Sequence, residues 1–188
     1  MSRHPNLLQR DSSLLLVIDL QGAFPDAIAG WDTCVKNSRL LIGAARELGI
    51  PIIPTTQNAA RLGAIVPEVQ SALGPARAFD KLTFSCWGDS FIADAIRGAR
   101  RPQVVLCGIE THICIAQTAL DLQAAGYQIH LAADATAARS DEKHRLGLAR
   151  LSGNNILSAA AESVVYEWLG TAGTPEFRNL LPLVKEAS

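Results

Sequence analysis

Three side chains in this sequence are suited to covalent chemistry, and each stands where an apolar run gives way to a turn. Cys114 closes Val104-Val105-Leu106-Cys107-Gly108-Ile109-Glu110-Thr111-His112-Ile113-Cys114, where a strand-like run meets a turn and a helix-like run opens. Unpaired N–H groups and the positive end of a helix dipole favour a thiolate there. A thiolate is a nucleophile, so the position suits covalent catalysis; a free core cysteine is the competing reading. Asp19 ends Val17-Ile18-Asp19-Leu20-Gln21, where a carboxylate either shapes the turn or serves as a base. Lys81 lies in Phe79-Asp80-Lys81-Leu82-Thr83-Phe84-Ser85-Cys86-Trp87. It is either a surface lysine laid along apolar neighbours or a buried cation. Taken together the three have complementary roles. A thiol needs a proton acceptor, and a thiolate needs a nearby positive charge.

Composition narrows what such a site serves. The chain has 188 residues, 48% of them hydrophobic, and a formal net charge of -1. That length suits one globular domain over residues 1–188 with a sizeable core. A near-neutral charge without a basic run argues against nucleic acid or an anionic membrane as partner. The apolar stretch Leu14-Leu15-Leu16-Val17-Ile18 is too short for a signal sequence or a membrane span. The four cysteines, Cys34, Cys86, Cys107 and Cys114, lack CxxC spacing, which fits reduced thiols in the cytoplasm. His4, His112, His130 and His144 form no HxxxH or HxH pair, so no structural zinc is expected. No GxGxxG follows a strand, so no dinucleotide site and no other cofactor is expected.

The elements that must position these residues alternate in type. Leu14–Ile18 reads as a strand, and a helix capped by Asp32 or Thr33 runs to Leu48. Ile50–Thr55 reads as a second strand, weakened by Pro51 and Pro54. Arg77–Asp80 is a third, followed by a short helix over Asp89–Arg97. Gln103–Cys107 is a strong strand, with a helix over Ile113–Ala125. Gln128–Ala132 is a strand ended by Asp134, and a helix capped by Ser140 or Asp141 runs to Ser152. Ile156–Leu157 is a short last strand before helices over Glu162–Leu169 and Glu176–Lys185. This order predicts a three-layer α/β/α fold with a mainly parallel, six-stranded sheet of Rossmann-type topology. Sites on such sheets lie beyond the carboxyl ends of the strands, where the strand order reverses. With strand order 3-2-1-4-5 assumed, Asp19 and Cys114 face each other across that crevice.

The sequence resembles the isochorismatase-like cysteine hydrolases, from Leu14 to about Lys185. The resemblance is carried by Val17-Ile18-Asp19-Leu20-Gln21 with Phe24, by Thr56-Gln57-Asn58 with Leu62-Gly63 and Val66-Pro67-Glu68, by the Lys81 segment, and by Cys107 to Cys114 with Thr118-Ala119-Leu120-Asp121-Leu122. The Gln57 segment and Asp134 to Ser140 are most similar to the isochorismatase domain-containing proteins. The resemblance implies Asp19 as general base and acid, Lys81 as cation and Cys114 as nucleophile. It implies a cis peptide at Ile109–Glu110, with the Glu110 and Cys114 N–H groups forming an oxyanion hole. It also gives Gln21, Phe24 and Trp87 as pocket walls, and a homo-oligomer. Metal-dependent nicotinamidases carry Asp-x-His and a further His after the second strand. Here that stretch reads Thr55-Thr56-Gln57-Asn58-Ala59-Ala60-Arg61, so no metal is expected.

The reading of residues and resemblance together is a metal-independent hydrolase of a small amide or carbamoyl-type C–N bond. Three rivals stand beside it: an ether hydrolase of the isochorismatase type, a non-catalytic binding protein of the same fold, and a redox-sensing thiol protein. His112, two residues from Cys114, points to another side of the helix start and fits a turn role. Cys86 and Cys107 read as buried, inert thiols.

Overall fold

The computed structural model describes residues 3–187. Its strands are β1 (Ser13–Ile18), β2 (Ile52–Gln57), β3 (Phe79–Lys81), β4 (Gln103–Ile109), β5 (Gln128–Ala137) and β6 (Leu157–Ala159). Between and after them run α1 (Trp31–Glu47), α2 (Ala59–Leu62), α3 (Pro67–Leu73), α4 (Ser90–Ala99), α5 (Ala116–Ala124), α6 (Asp141–Ser152), α7 (Ala161–Leu169) and α8 (Pro175–Ala187). The strands form one six-stranded sheet in the order β3-β2-β1-β4-β5-β6, and every pairing is parallel.

The layering follows from residue alternation along the central strands. Leu15, Val17, Val105 and Cys107 pack on one face, against residues of α1, α7 and α8. Leu14, Leu16, Ile18, Val104 and Leu106 pack on the other, against Ile92 and Ile96 of α4, Ala119 and Leu122 of α5, and Leu151 of α6. Both faces are covered, which is why β1 and β4 read as continuous apolar runs. Among the described residues, no helix is long and apolar enough to cross a membrane.

The structure differs from the sequence reading at several elements. β2 is an inner strand despite Pro54. Thr55 accepts a backbone hydrogen bond from Asp19 of the β1 side (3.2 Å), so alternation turns Pro54 toward β3. Pairing with β3 begins only at Thr55, opposite Phe79, so the missing N–H of Pro54 costs no sheet bond. β3 itself lies over Phe79–Lys81, later than Arg77–Asp80, which makes Lys81 its last residue. α1 begins at Trp31, behind Gly30 in the left-handed region, with no side-chain cap from Asp32 or Thr33. β5 does not end at Asp134. It bulges, so that Leu106 opposes Leu131 and Gly108 opposes Thr136. Asp134 sits in the bulge and accepts from the Ala161 N–H at the start of α7 (2.7 Å).

Candidate active site

The strand order reverses between β1 and β4, and the three candidate residues come off the ends of β1, β3 and β4 on that edge. Asp19 follows β1 with φ 57, a left-handed conformation that turns the chain out of the sheet. Such a backbone persists in a non-glycine residue when its surroundings over-determine it. Here the Asp19 N–H is held by the Thr55 carbonyl, and the Thr55 hydroxyl donates to Asp19 Oδ1 at 2.9 Å. The other carboxylate oxygen, Oδ2, accepts from Lys81 Nζ at 2.7 Å. Both side chains are buried, at 3% and 0% exposure.

Cys114 belongs to a single π turn, Thr111–Ile115, that precedes α5, rather than to the first turn of an α-helix. Wide turns of this kind recur at functional sites. α6 presses onto it at Gly147, where a β-carbon would lie 3.0 Å from the His112 nitrogen. His112 sits in that turn, and its Nδ1 is buried without a hydrogen-bond partner among the described residues. The Ile109–Glu110 peptide just before the turn is cis.

Asp19 and Cys114 line one cavity of about 160 Å³. Phe24, Leu62, Phe84, Ile109 and Ile113 give it apolar walls, and Gln57, Glu110 and Arg139 supply its polar edge. Glu110 accepts three hydrogen bonds from Arg139, through the backbone N–H (2.9 Å), Nε (3.1 Å) and Nη2 (2.6 Å). Burial pushes the Glu110 carboxyl upward, but these bonds and the guanidinium charge outweigh it and hold the pKa below the ordinary value.

Electrostatics at the thiol run against the expectation of a resting thiolate. Burial and the Asp19 charge push the Cys114 thiol up to about 12, and Lys81 opposes them only in part. The resting thiol therefore keeps its proton at neutral pH, beside a carboxylate that can take it. Burial alone would lower the Lys81 pKa, but the Asp19 charge outweighs it and raises the pKa above the ordinary value. Cys86 and Cys107 are fully buried, with thiols pushed up to about 11 and about 12 chiefly by burial, and Cys34 is pushed higher still. Of the four cysteines, Cys114 is the one in the lining of this cavity.

The Isochorismatase domain matches residues 13–162. The chain belongs to the isochorismatase-like hydrolases. Within this family it is 33% identical to the secreted isochorismatase effector Isc1 of Phytophthora sojae over 179 residues, covering 93% of this chain and 85% of that protein. It is 35% identical to isochorismatase domain-containing protein 2A of Mus musculus over 177 residues, covering 94% of this chain and 84% of that protein. Among solved structures, a protein described as MAR1 ribonuclease from Caenorhabditis elegans superposes with a TM-score of 0.89 at 30% identity, over 95% of this chain and 92% of that one.

Two residues read as pocket walls in this isochorismatase-like hydrolase stand elsewhere. Trp87 lies outside the cavity lining. It makes an edge contact with Tyr127 (5.7 Å between ring centroids), and the Arg97 guanidinium covers its ring at 4.4 Å. Those contacts draw the ring toward α4, and Phe84 supplies the second aromatic wall beside Phe24. Gln21 is also absent from the lining. It is fully buried, and its amide is occupied by backbone groups of Gln57 and Gly63. Sequence reasoning did not place Gln57, Phe84 or Arg139 in the site. Gln57 lies beyond the strand read over Ile50–Thr55 and joins the site because β2 extends to it; the other two depend on loop paths.

Proposed function

We propose that this protein hydrolyses a small amide or carbamoyl-type C–N bond through a covalent intermediate on Cys114. The observation that carries the reading is the buried Lys81–Asp19 pair, at 2.7 Å, with Asp19 and the Cys114 thiol lining one small cavity. Asp19 takes the thiol proton as the sulfur attacks the carbonyl carbon. The backbone N–H groups of Glu110 and Cys114 stabilise the oxyanion. The tetrahedral species collapses with loss of the amine, which receives the proton from Asp19, and leaves an acyl-thioester. Asp19 then takes a proton from water as the hydroxide attacks the thioester, the C–S bond breaks, and Asp19 returns that proton to the departing sulfur, which releases the acid and restores the free thiol. The apolar walls favour a substrate with a compact apolar substituent next to its carbonyl.

A screen of small amides, ureides and carbamates against the wild type and Cys114→Ala tests this reading. Hydrolysis by the wild type and none by Cys114→Ala is the expected result. Equal hydrolysis by both would remove Cys114 from the chemistry and favour ether cleavage. The C. elegans relative's name makes RNA a useful further substrate in the screen; a cavity of about 160 Å³ and a net charge of -1 favour the small amide. The same reading includes self-association. It is supported by Leu82, Phe84 and Phe91, exposed apolar side chains on the segment that follows Lys81, and light scattering measures it.

A further inference from the structure

We propose that Gln57 is a positioning residue: its amide holds the Lys81 ammonium toward Asp19 and Cys114 without neutralising it, and Gln21 holds Gln57 in place. The inference rests on Cys114 as the nucleophile and adds a residue that sets its cation.

Lys81 Nζ donates to Asp19 Oδ2 at 2.7 Å and to Gln57 Oε1 at 2.8 Å. Gln57 Nε2 donates in turn to the Leu82 carbonyl at 3.0 Å. This fixes the sense of the amide. Exchanged ends would set an NH2 group against the ammonium and a carbonyl oxygen against the Leu82 oxygen, two repulsions in place of two bonds.

The backbone of Gln57 is fastened as well. β1 leaves the sheet at Asp19, so the next ladder position on β2 has no strand beside it. The Gln21 side chain fills the gap. Its Oε1 accepts from the Gln57 N–H at 2.7 Å, and its Nε2 donates to the carbonyls of Gln57 (3.2 Å) and Gly63 (2.7 Å). A fully buried amide thus stands in for a missing strand, with its oxygen and both donors engaged on backbone.

The neutrality of Gln57 matters as much as its reach. A buried ammonium needs acceptors for its N–H groups. A carboxylate at position 57 would satisfy it but would put a second anion on one cation. The net field at Cys114 would then turn against the thiolate that forms during attack. A neutral amide supplies the acceptor and leaves the charge of Lys81 to oppose the single charge of Asp19.

The test uses iodoacetamide as probe, following Cys114 alkylation by mass spectrometry across a pH series, with thermal melting to confirm folding. Gln57→Glu keeps the shape and adds the charge. It should slow alkylation about tenfold at neutral pH and move the rate–pH curve upward by about one unit. Gln57→Met removes the acceptor without adding charge, and should lower the rate and move the curve upward by less than Gln57→Glu does. A purely structural role would affect both variants alike and shift neither curve. If Lys81→Met slows alkylation while both Gln57 variants match the wild type, the positioning role is wrong and the cysteine mechanism stands. If Lys81→Met also matches the wild type, the reading of Lys81 as the cation for Cys114 fails first. Should Gln57→Glu not fold, the Gln57→Met rate alone decides, an unchanged rate overturning the role.

Discussion

Removing the Asp19 charge acts on Cys114 in two opposed ways. Asp19 is the base that accepts the thiol proton, and its negative charge is also a main reason that proton is held so tightly. Asp19→Asn should therefore separate reactivity from turnover. With Lys81 no longer balanced by a carboxylate, Cys114 becomes more acidic, and iodoacetamide should alkylate it faster than in the wild type. Hydrolysis should fall by about a hundredfold or more, the usual scale of a lost general base, because nothing delivers the proton to the leaving amine. Slower alkylation together with retained hydrolysis would show that Asp19 only shapes its turn. The residues of this site differ in how legible they were. Asp19, Lys81 and Cys114 stand out because a charged or nucleophilic side chain closes or follows a strand-like segment. Glutamine carries no such contrast, and the partnership of Gln57 with Lys81 exists only because β2 and β3 run side by side, with Gln57 opposite Lys81.

At the scale of elements, the site depends on how closely β4 approaches β1. Gly108 lies opposite Ile18 with φ 110, and a β-carbon there would fall 2.0 Å from the Ile18 carbonyl oxygen. The obstacle is backbone, so no rotamer relieves it, and the dihedral is unfavourable for any side chain. Gly108→Ala should cost about 3 kcal/mol or more, by crowding and backbone strain together, and lower the urea midpoint accordingly. A midpoint within error of the wild type would mean that β4 can move aside, and that the spacing between Asp19 and Cys114 is not set by this contact. The alternation of strands and helices was readable because buried parallel strands are short apolar runs separated by helical periodicity. What escaped was irregular. The bulge in β5 is set by its register with β4, and the π turn before α5 by packing under α6; neither leaves a periodic trace in sequence. α3 was missed as well, although Pro67 at its first turn and Gly74 after its last residue are recognisable boundaries.

For the molecule as a whole, burial of titratable groups sets a direction for acid stability. His130 lies within β5 at 2% exposure, and its Nε2 has no hydrogen-bond partner among the described residues. Burial lowers its pKa from 6.5 to about 4. Below about 6.5 the unfolded chain binds a proton at this residue that the folded chain refuses, so acid favours unfolding through it until the folded pKa is reached. Glu110 acts in the same sense. Its pKa is lowered in the folded protein, so its contribution is present above the carboxylate range and disappears as acid protonates it beside Arg139. The two separate by window: His130 acts between mildly acidic pH and about 4, and Glu110 below the ordinary carboxyl value of 4.5. His130→Leu puts an apolar side chain at this buried position and removes the titration. Measured by thermal melting from neutral pH down to about 4, the variant should lose less melting temperature than the wild type, and the two curves should run parallel at higher pH. Parallel curves throughout the acid range would show that His130 takes up its proton without opening the fold, through a path for water into β5.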